Sequence, residues 1–146
     1  MTIPDVLGLD TNCFVYFLER SDPKRAGYLE QQVFVPMSEG RKRAVTSTLS
    51  FGELLVPMYR AGEPGDAAAF RAGIEALHGL TILAVTADVA DLSAEIRGGT
   101  GLKLVDAVQI ATARVAGASA LLTNDRRIDR PGVGIDVLVL DDLLGR

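Results

Sequence analysis

Four acidic residues of this sequence stand where carboxylates could carry out chemistry together. Asp10 ends the first apolar run, Glu53 lies in the first turn after the second run, and Asp125 follows a later run. Asp106 lies early in a strongly apolar helical stretch. Carboxylates within reach of one another repel strongly or bind protons, and a divalent cation relieves that repulsion. Because all-oxygen ligation suits Mg²⁺ or Mn²⁺ better than zinc, the residue types predict a site for one of these two ions.

The chemistry expected of such a site is phosphodiester hydrolysis, since hard cations held by carboxylates activate water and stabilise the leaving oxygen. Other catalytic classes lack their residues. His78 is the only histidine, which excludes catalysis by a histidine pair, and Cys13 has no histidine near it in the sequence. No Gly-x-x-x-x-Gly-Lys-Ser/Thr run is present, so the sequence does not predict a P-loop nucleotidase.

The elements that must position these acids alternate between strand and helix. Apolar runs predict strands at residues 6–9, 44–48, 80–85, 118–123 and 135–140, and helical spacing predicts helices between them, including 11–20, 102–116 and a helix capped by Thr86. The glycine-rich group at 98–101 predicts a loop. Alternation of this kind predicts a single α/β domain over residues 1–146, with three α/β/α layers and a mainly parallel sheet of about five strands. Because ligands bind at the carboxyl ends of parallel strands, all four acids are expected at one edge of the sheet.

Each acid also has a purely structural interpretation. Asp10 suits the N-cap of the first helix, Ser50-x-x-Glu53 matches a capping box, and Asp125 suits a turn. Asp106 shares a helical stripe with Leu102 and Ile110, so that its carboxylate lies on a largely apolar face. An ion pair with Lys103 or an interaction with the helix dipole would account for it.

Composition sets the broad class of protein. The 146 residues are 48% hydrophobic, and no run is long enough to span a bilayer. With no basic segment before a signal core and a single cysteine, we expect a cytoplasmic protein.

The net charge is −4, yet if four of the 19 acids form a metal site, the other 15 balance the 15 Lys and Arg residues. The group Arg41, Lys42 and Arg43 is expected on the solvated surface, whereas Arg126, Arg127 and Arg130 lie near the predicted site and are candidate substrate contacts.

The sequence also resembles the PIN domain, and more narrowly the VapC-type toxins of bacterial toxin–antitoxin pairs. Four segments, in the family's order and at family-like spacing, carry the resemblance: Leu9-Asp-Thr-Asn12, Ser50-Phe-Gly-Glu53, Leu104-Val-Asp-Ala-Val-Gln-Ile-Ala-Thr-Ala113 and Leu122-Thr-Asn-Asp-Arg-Arg-Ile128. The resemblance implies an endoribonuclease whose acidic cluster holds Mg²⁺ or Mn²⁺. It implies an RNA substrate, a separate small antitoxin lying over the active-site groove, and in many members a homodimer.

Carried over residue by residue, the resemblance makes Asp10, Glu53, Asp106 and Asp125 the acidic cluster. Asp10 and Asp106 would be direct metal ligands, Asp125 would complete the site directly or through water, and Glu53 would orient or deprotonate the attacking water. The supporting polar residues would be Thr11, Asn12, Ser50 and Thr123. Asp129 could replace Asp125, although a surface position beside Arg126 and Arg130 is the alternative.

Two other functions stay open at this stage. A PIN nuclease can mature RNA without being a toxin, and an inactive PIN fold can serve as a binding or scaffold subunit; the complete set of acids favours the enzyme. A haloacid-dehalogenase-type phosphotransferase also begins with an acid after its first strand. That class needs a second aspartate two residues on, where this chain has Asn12.

Overall fold

The computed structural model describes residues 2–145, which form a five-stranded sheet flanked by helices. The strands are β1 (Val6–Leu9), β2 (Arg43–Ser47), β3 (Leu80–Leu83), β4 (Ala120–Thr123) and β5 (Asp136–Val139). Their order across the sheet is β3-β2-β1-β4-β5, and all four strand pairs are parallel. The predicted α/β class and strand number are confirmed, and the sheet is entirely parallel.

The helices lie on both faces of this sheet. They are α1 (Thr11–Glu19), α2 (Pro23–Leu29), α3 (Val35–Ser38), α4 (Leu49–Arg60), α5 (Pro64–Glu75), α6 (Ala87–Thr100), α7 (Leu104–Val115) and α8 (Leu140–Leu144). A π-helical turn (Glu30–Phe34) joins α2 to α3, and a short 3-10 helix (Arg126–Ile128) follows β4. Among the helices of residues 2–145, none combines the length and the apolar composition needed to cross a membrane.

Alternation along the strands divides the interior into two hydrophobic cores. Leu7 and Leu9 of β1 pack into the first core, with Phe14 of α1. Leu121 of β4 points the other way and packs into the second core, with residues of α6 and α7 such as Ile110. This period of two is what a pleated strand imposes. A helical layer therefore covers each face, which confirms the predicted three-layer α/β/α arrangement.

Gly8, between these two leucines of β1, allows α7 to lie directly on the sheet. A methyl group added at this position would stand 2.5 Å from the Cβ of Ala113 and 3.1 Å from a methyl of Leu121. Neither neighbour can move away cheaply, because the Cβ of Ala113 is fixed to the backbone of α7. The absence of a side chain at Gly8 thus sets how closely the helix that carries Asp106 approaches the sheet.

Replacing Gly8 with Ala should therefore destabilise the fold. Overpacking a well-packed interior by one methyl group typically costs about 1–3 kcal/mol, and urea unfolding would measure the loss. The double variant Gly8→Ala/Ala113→Gly restores the space, at a cost of about 1 kcal/mol for glycine inside a helix. We expect the double variant to be more stable than Gly8→Ala alone; a double variant as unstable as the sum of the two single changes would contradict this packing argument.

Two predictions from local sequence are wrong. The predicted loop at 98–101 is instead the end of α6, which continues to Thr100 and stops at Gly101 in the left-handed conformation. The buried side chains of Val89 and Ile96 hold this helix on the core, while Gly98 and Gly99 lie on its exposed face. Tertiary packing of the buried side outweighs the poor helix propensity of the two glycines.

The second wrong prediction concerns Lys42, which was expected on the solvated surface with its neighbours. Lys42 is buried, and its ammonium group donates hydrogen bonds to the carbonyl oxygens of Ile3 (2.9 Å) and Pro4 (3.0 Å). Arg41 and Arg43 are exposed as predicted. The ends of the other elements differ from the predicted ranges by no more than two residues, as in α7, where 102–116 was predicted.

The order of the strands creates a crevice beside β1. The chain passes from β1 outward to β2 and β3, then returns to place β4 on the other side of β1. In open parallel sheets, such a change of direction leaves a binding crevice at the carboxyl ends of the strands. Asp10 directly follows β1 at this edge, and Thr123 and Asp125 lie at the end of β4.

Candidate metal centre

A cavity of about 450 Å³ opens at this edge of the sheet and brings the four predicted acids together. Its lining comprises Asp10, Thr11, Asn12, Val15, Glu53, Lys103, Val105, Asp106, Asp125 and Arg127. A larger cavity of about 590 Å³ lies around Lys42 at the opposite edge. The ammonium group of Lys42 in that cavity already donates hydrogen bonds to backbone carbonyls. We therefore identify the first cavity as the candidate site by its acidic lining and not by its size. We call it the acid pocket.

Asp10 is the most deeply buried acid of the pocket, with 6% of its surface exposed. It caps α1 through the N–H of Thr11 (2.8 Å), as its structural interpretation predicted, and accepts a hydrogen bond from the hydroxyl of Thr123 (2.7 Å). Burial raises the pKa of Asp10 from 3.8 to about 6, although these two hydrogen bonds oppose the rise. The negative charges of Asp106 and Glu53 raise this pKa further.

Asp106 lies in the first turn of α7 and is half-buried. Its neighbours on the same stripe, Leu102 and Ile110, are buried as expected. Burial raises the pKa of Asp106, and the charge of Asp125 raises it further. Among residues 2–145, the ion pairs within 4 Å do not include one between Lys103 and Asp106, so the proposed structural partner does not account for this carboxylate.

Glu53 belongs to a different arrangement from the capping box that its sequence matches. Thr48, not Ser50, is the N-cap of α4, and its side chain forms no capping hydrogen bond. The hydroxyl of Thr11 donates to Oε1 of Glu53 at 2.7 Å. The capping-box interpretation is therefore wrong, because Ser50 lies inside the helix and faces the interior.

Ser50 is part of a buried polar network beneath the acid pocket. Its hydroxyl lies 2.8 Å from that of Thr46, which itself donates to the carbonyl of Leu9, and Nε2 of Gln109 donates to Ser50 at 3.1 Å and to Thr11 at 3.3 Å. The network links β2, α1, α4 and α7. It fixes Thr11, and through Thr11 the carboxylate of Glu53.

Asp125 differs from the other acids because its carboxylate already accepts hydrogen bonds from a guanidinium group. Arg127 donates from Nε to Oδ1 (3.0 Å) and from Nη2 to Oδ2 (2.6 Å), and its backbone N–H donates to Oδ1 (3.1 Å). The side-chain hydrogen bond from Arg127 lowers the pKa of Asp125. Asp125 also caps the short 3-10 helix, which agrees with its predicted turn role.

The other residues named from the sequence lie around this centre or outside it. Asn12 donates to Oδ2 of Asp10 (3.3 Å) and belongs to the lining. Arg126 pairs with Asp142, and Arg130 donates to the carbonyl oxygens of Thr100 and Arg127; neither arginine lines the pocket. Asp129 is exposed and is not part of the lining.

The donor chemistry of the pocket fits Mg²⁺ or Mn²⁺. Within residues 2–145, no three His, Cys, Asp or Glu side chains converge closely enough to enclose an ion. Mg²⁺ does not require such an enclosure, because its sites commonly use one or two carboxylates and several waters. Asp10 and Asp106 fit that requirement, since each is partly or fully buried and has a raised pKa, and the charge of Asp106 contributes to the raised pKa of Asp10.

Sequence reasoning did not assign three polar residues to this site. Thr46 and Gln109 belong to the buried network, and Lys103 lines the pocket as an exposed cation. The role of Gln109 could have been predicted, because it is a polar residue three positions after Asp106 in a largely apolar helix. Thr46 carried no such signal, since its position depends on contacts between distant segments, and Lys103 was named from its spacing only as an ion-pair partner of Asp106.

Comparison with known families identifies the chain by sequence. The model of the PIN domain matches residues 8–133, which is most of the chain. The chain therefore belongs to the PIN-domain family. Comparison with curated proteins gives no match.

Solved structures show the same fold. A toxin–antitoxin complex from Klebsiella pneumoniae matches with a TM-score of 0.64 and 22% identity, over 92% of this chain and 97% of that chain. VapBC2 from Rickettsia felis, bound to a DNA fragment from its promoter, matches with a TM-score of 0.69 and 16% identity over 92% and 98%. DNA-bound VapBC from Salmonella typhimurium gives 0.69 and 17% over 94% and 99%. At these identities, the likeness is one of fold.

Proposed function

We propose that this chain is a Mg²⁺- or Mn²⁺-dependent endoribonuclease and the toxin component of a toxin–antitoxin pair. The observation that carries the proposal is the acid pocket, in which the buried Asp10 and half-buried Asp106 share one cavity and, within residues 2–145, neither forms an ion pair within 4 Å. Buried carboxylates that lack a compensating charge are costly, and a bound divalent cation would remove that cost. The PIN-domain match supports the same chemistry.

The residues of the pocket have separate roles in this proposal. Asp10 and Asp106 hold the ion, which when bound supplies Lewis-acid stabilisation of the charge that develops on the phosphate. Glu53 accepts the proton of the attacking water, since the hydroxyl of Thr11 fixes its Oε1 at the rim of the pocket. Thr123 and Asn12 hold Asp10 in place by hydrogen bonds to Oδ2.

The same family membership supports the proposed partners, and the single cysteine supports the proposed location. We propose an RNA substrate, a separate small antitoxin, a homodimer as the oligomeric state and a cytoplasmic location. The structural neighbours that include toxin–antitoxin complexes support the antitoxin partner. The nuclease that we propose is a single domain over residues 1–146.

Incubation of the purified protein with a mixed pool of cellular RNA and Mg²⁺ or Mn²⁺ tests the activity directly. We expect cleavage that disappears both with EDTA and in Asp10→Ala. Absence of cleavage from every RNA, together with absence of Mn²⁺ binding by calorimetry, would refute the enzyme and favour an inactive scaffold. Growth arrest on expression, relieved by a neighbouring small gene product, separates a toxin from an RNA-processing nuclease.

A further inference from the structure

The ion pair between Asp125 and Arg127 sets this acid apart from Asp10 and Asp106. Both oxygens of Asp125 accept hydrogen bonds from Arg127, in the planar fork that suits a guanidinium and a carboxylate. The backbone holds this pair as well, because the N–H of Asp125 donates to the hydroxyl of Thr123, which in turn donates to Asp10. The guanidinium is thereby anchored to the wall of the acid pocket.

A second ion pair, one residue away in the sequence, differs from the pair of Asp125 and Arg127 in its position relative to the acid pocket. Arg126 forms a similar two-point contact with Asp142 (3.0 and 2.8 Å). Both arginines are largely exposed, with 64% and 65% of the side-chain surface accessible. Only the pair of Arg127 and Asp125 lines the acid pocket. The two pairs are thus chemically matched, but only one of them faces the proposed reaction.

Resting on the proposed function, we propose that Asp125 is a positioning residue that holds Arg127 as a phosphate-binding side chain, and that it is not a ligand of the metal ion. The fork uses Nε and Nη2 of Arg127, which leaves the two N–H groups of Nη1 outside it for a phosphate oxygen. A guanidinium is well suited to phosphate recognition. The pocket presents the charges of Asp10, Glu53 and Asp106 to a polyanion, and Arg127 would join Lys103 as a cation of the lining that offsets them.

The ion pairs of the acids agree with this division. Among residues 2–145, no ion pair within 4 Å joins Asp10 or Asp106 to a cation, whereas both oxygens of Asp125 accept hydrogen bonds from Arg127. Oδ1 of Asp125 already accepts two hydrogen bonds from Arg127 and Oδ2 accepts one, so a metal ion would compete with the guanidinium for this carboxylate. Arg127 lines the same cavity as Asp10 and Asp106, which places its charge near the proposed metal position.

The decisive variant removes both members of the pair, so that the net charge of the pocket does not change. In Asp125→Asn/Arg127→Gln, we expect the Kd for Mn²⁺, measured by calorimetry, to stay within about threefold of wild type. The matched control is Arg126→Gln/Asp142→Asn, which removes the neighbouring pair outside the pocket. Urea unfolding of both variants establishes that each is folded.

The RNA arm uses Arg127→Gln and a labelled transcript taken from the pool that wild type cleaves. We expect KM to rise about tenfold, while the slope of log KM against log salt falls by about 0.7, the value for one phosphate contact on a single strand. A merely structural role for Arg127 would not change this slope. The control double variant should keep the KM and slope of wild type.

Two results would overturn this inference alone, given a wild type that binds Mn²⁺ and cleaves RNA. One is a tenfold or greater loss of Mn²⁺ affinity in Asp125→Asn/Arg127→Gln, which would make Asp125 a metal ligand. The other is a wild-type KM and salt slope in Arg127→Gln. A wild-type protein that neither binds Mn²⁺ nor cleaves RNA would instead overturn the proposed function, and this inference with it.

Discussion

Replacing Asp106 with Asn should reduce metal-dependent RNA cleavage by about 1000-fold, equivalent to about 4 kcal/mol of transition-state stabilisation. Asp106 is one of the two carboxylates whose burial and neighbouring negative charges call for a cation. An amide of the same shape keeps the packing of α7 but removes the charge that attracts the ion. Mn²⁺ binding, measured by calorimetry without RNA, should be lost in parallel with activity.

Asp129→Asn is the matched control for this experiment. Asp129 is also an aspartate near the pocket, but it is exposed and does not line the cavity. We expect its substitution to leave Mn²⁺ affinity and cleavage within about twofold of wild type, since isolated surface charges contribute little. The assignment fails if Asp129→Asn loses activity as severely as Asp106→Asn, because the acid that completes the site would then be the one that follows the 3-10 helix.

The second large effect concerns the stability of the metal-free protein, which should fall as the pH rises through the titration of Asp10. The pKa of Asp10 is about 6 in the folded protein, against its ordinary value of 3.8. The neutral carboxyl is therefore favoured by folding, so its stabilising contribution is fully present below pH 3.8 and is lost by the time the pH exceeds 6. A shift of this size corresponds to about 3 kcal/mol.

Urea unfolding in EDTA at a series of pH values measures this effect, with Asp10→Asn as the reference that cannot titrate at this position. The free energy of unfolding of wild type, minus that of Asp10→Asn, should fall by about 2 kcal/mol between about pH 4.5 and about pH 7.5. Taking this difference cancels the titration of the acids that do not interact with Asp10. A difference that stays flat, or rises with pH, would mean that Asp10 is not held in an unfavourable charged state.

Metal should reverse this loss in wild type alone. At pH 7.5, an Mn²⁺ concentration about 100 times Kd should raise the free energy of unfolding by about 2.7 kcal/mol, because the ion binds only the folded protein. Asp10→Asn should gain almost nothing from the same addition. Equal stabilisation of both proteins would indicate that the ion binds elsewhere.

The parts of the fold that could be predicted are those determined by local pattern. The uninterrupted apolar run of β1 indicated a buried parallel strand, and Asp10 directly after it had to emerge at the carboxyl edge. The same reasoning placed Asp125 after β4, and helical spacing placed Asp106 on the stripe with Leu102 and Ile110. Because the carboxyl ends of parallel strands share one edge, a coarse assignment of elements was enough to bring these acids together.

The parts that could not be predicted depend on contacts between distant segments. Ser50 and Glu53 match a capping box in the sequence, but Ser50 instead contacts Thr46 and Gln109 in the interior. Gly98 and Gly99 look like loop residues until the buried side of α6 is known. In each case the local preference, for a helix cap or against glycine in a helix, contributes about 1 kcal/mol, and a few buried contacts outweigh it.

The buried network of hydroxyls and one amide beneath the pocket also bears on protein engineering. Thr46, Ser50 and Gln109 come from three separate elements, yet together with Thr11 they fix the geometry of Glu53. Grafting only the four acids onto another parallel sheet would transfer the charges without the scaffold that orients them. A working transplant of this centre must carry the layer beneath it, and the smallest transferable unit therefore includes β2 and segments of α1, α4 and α7.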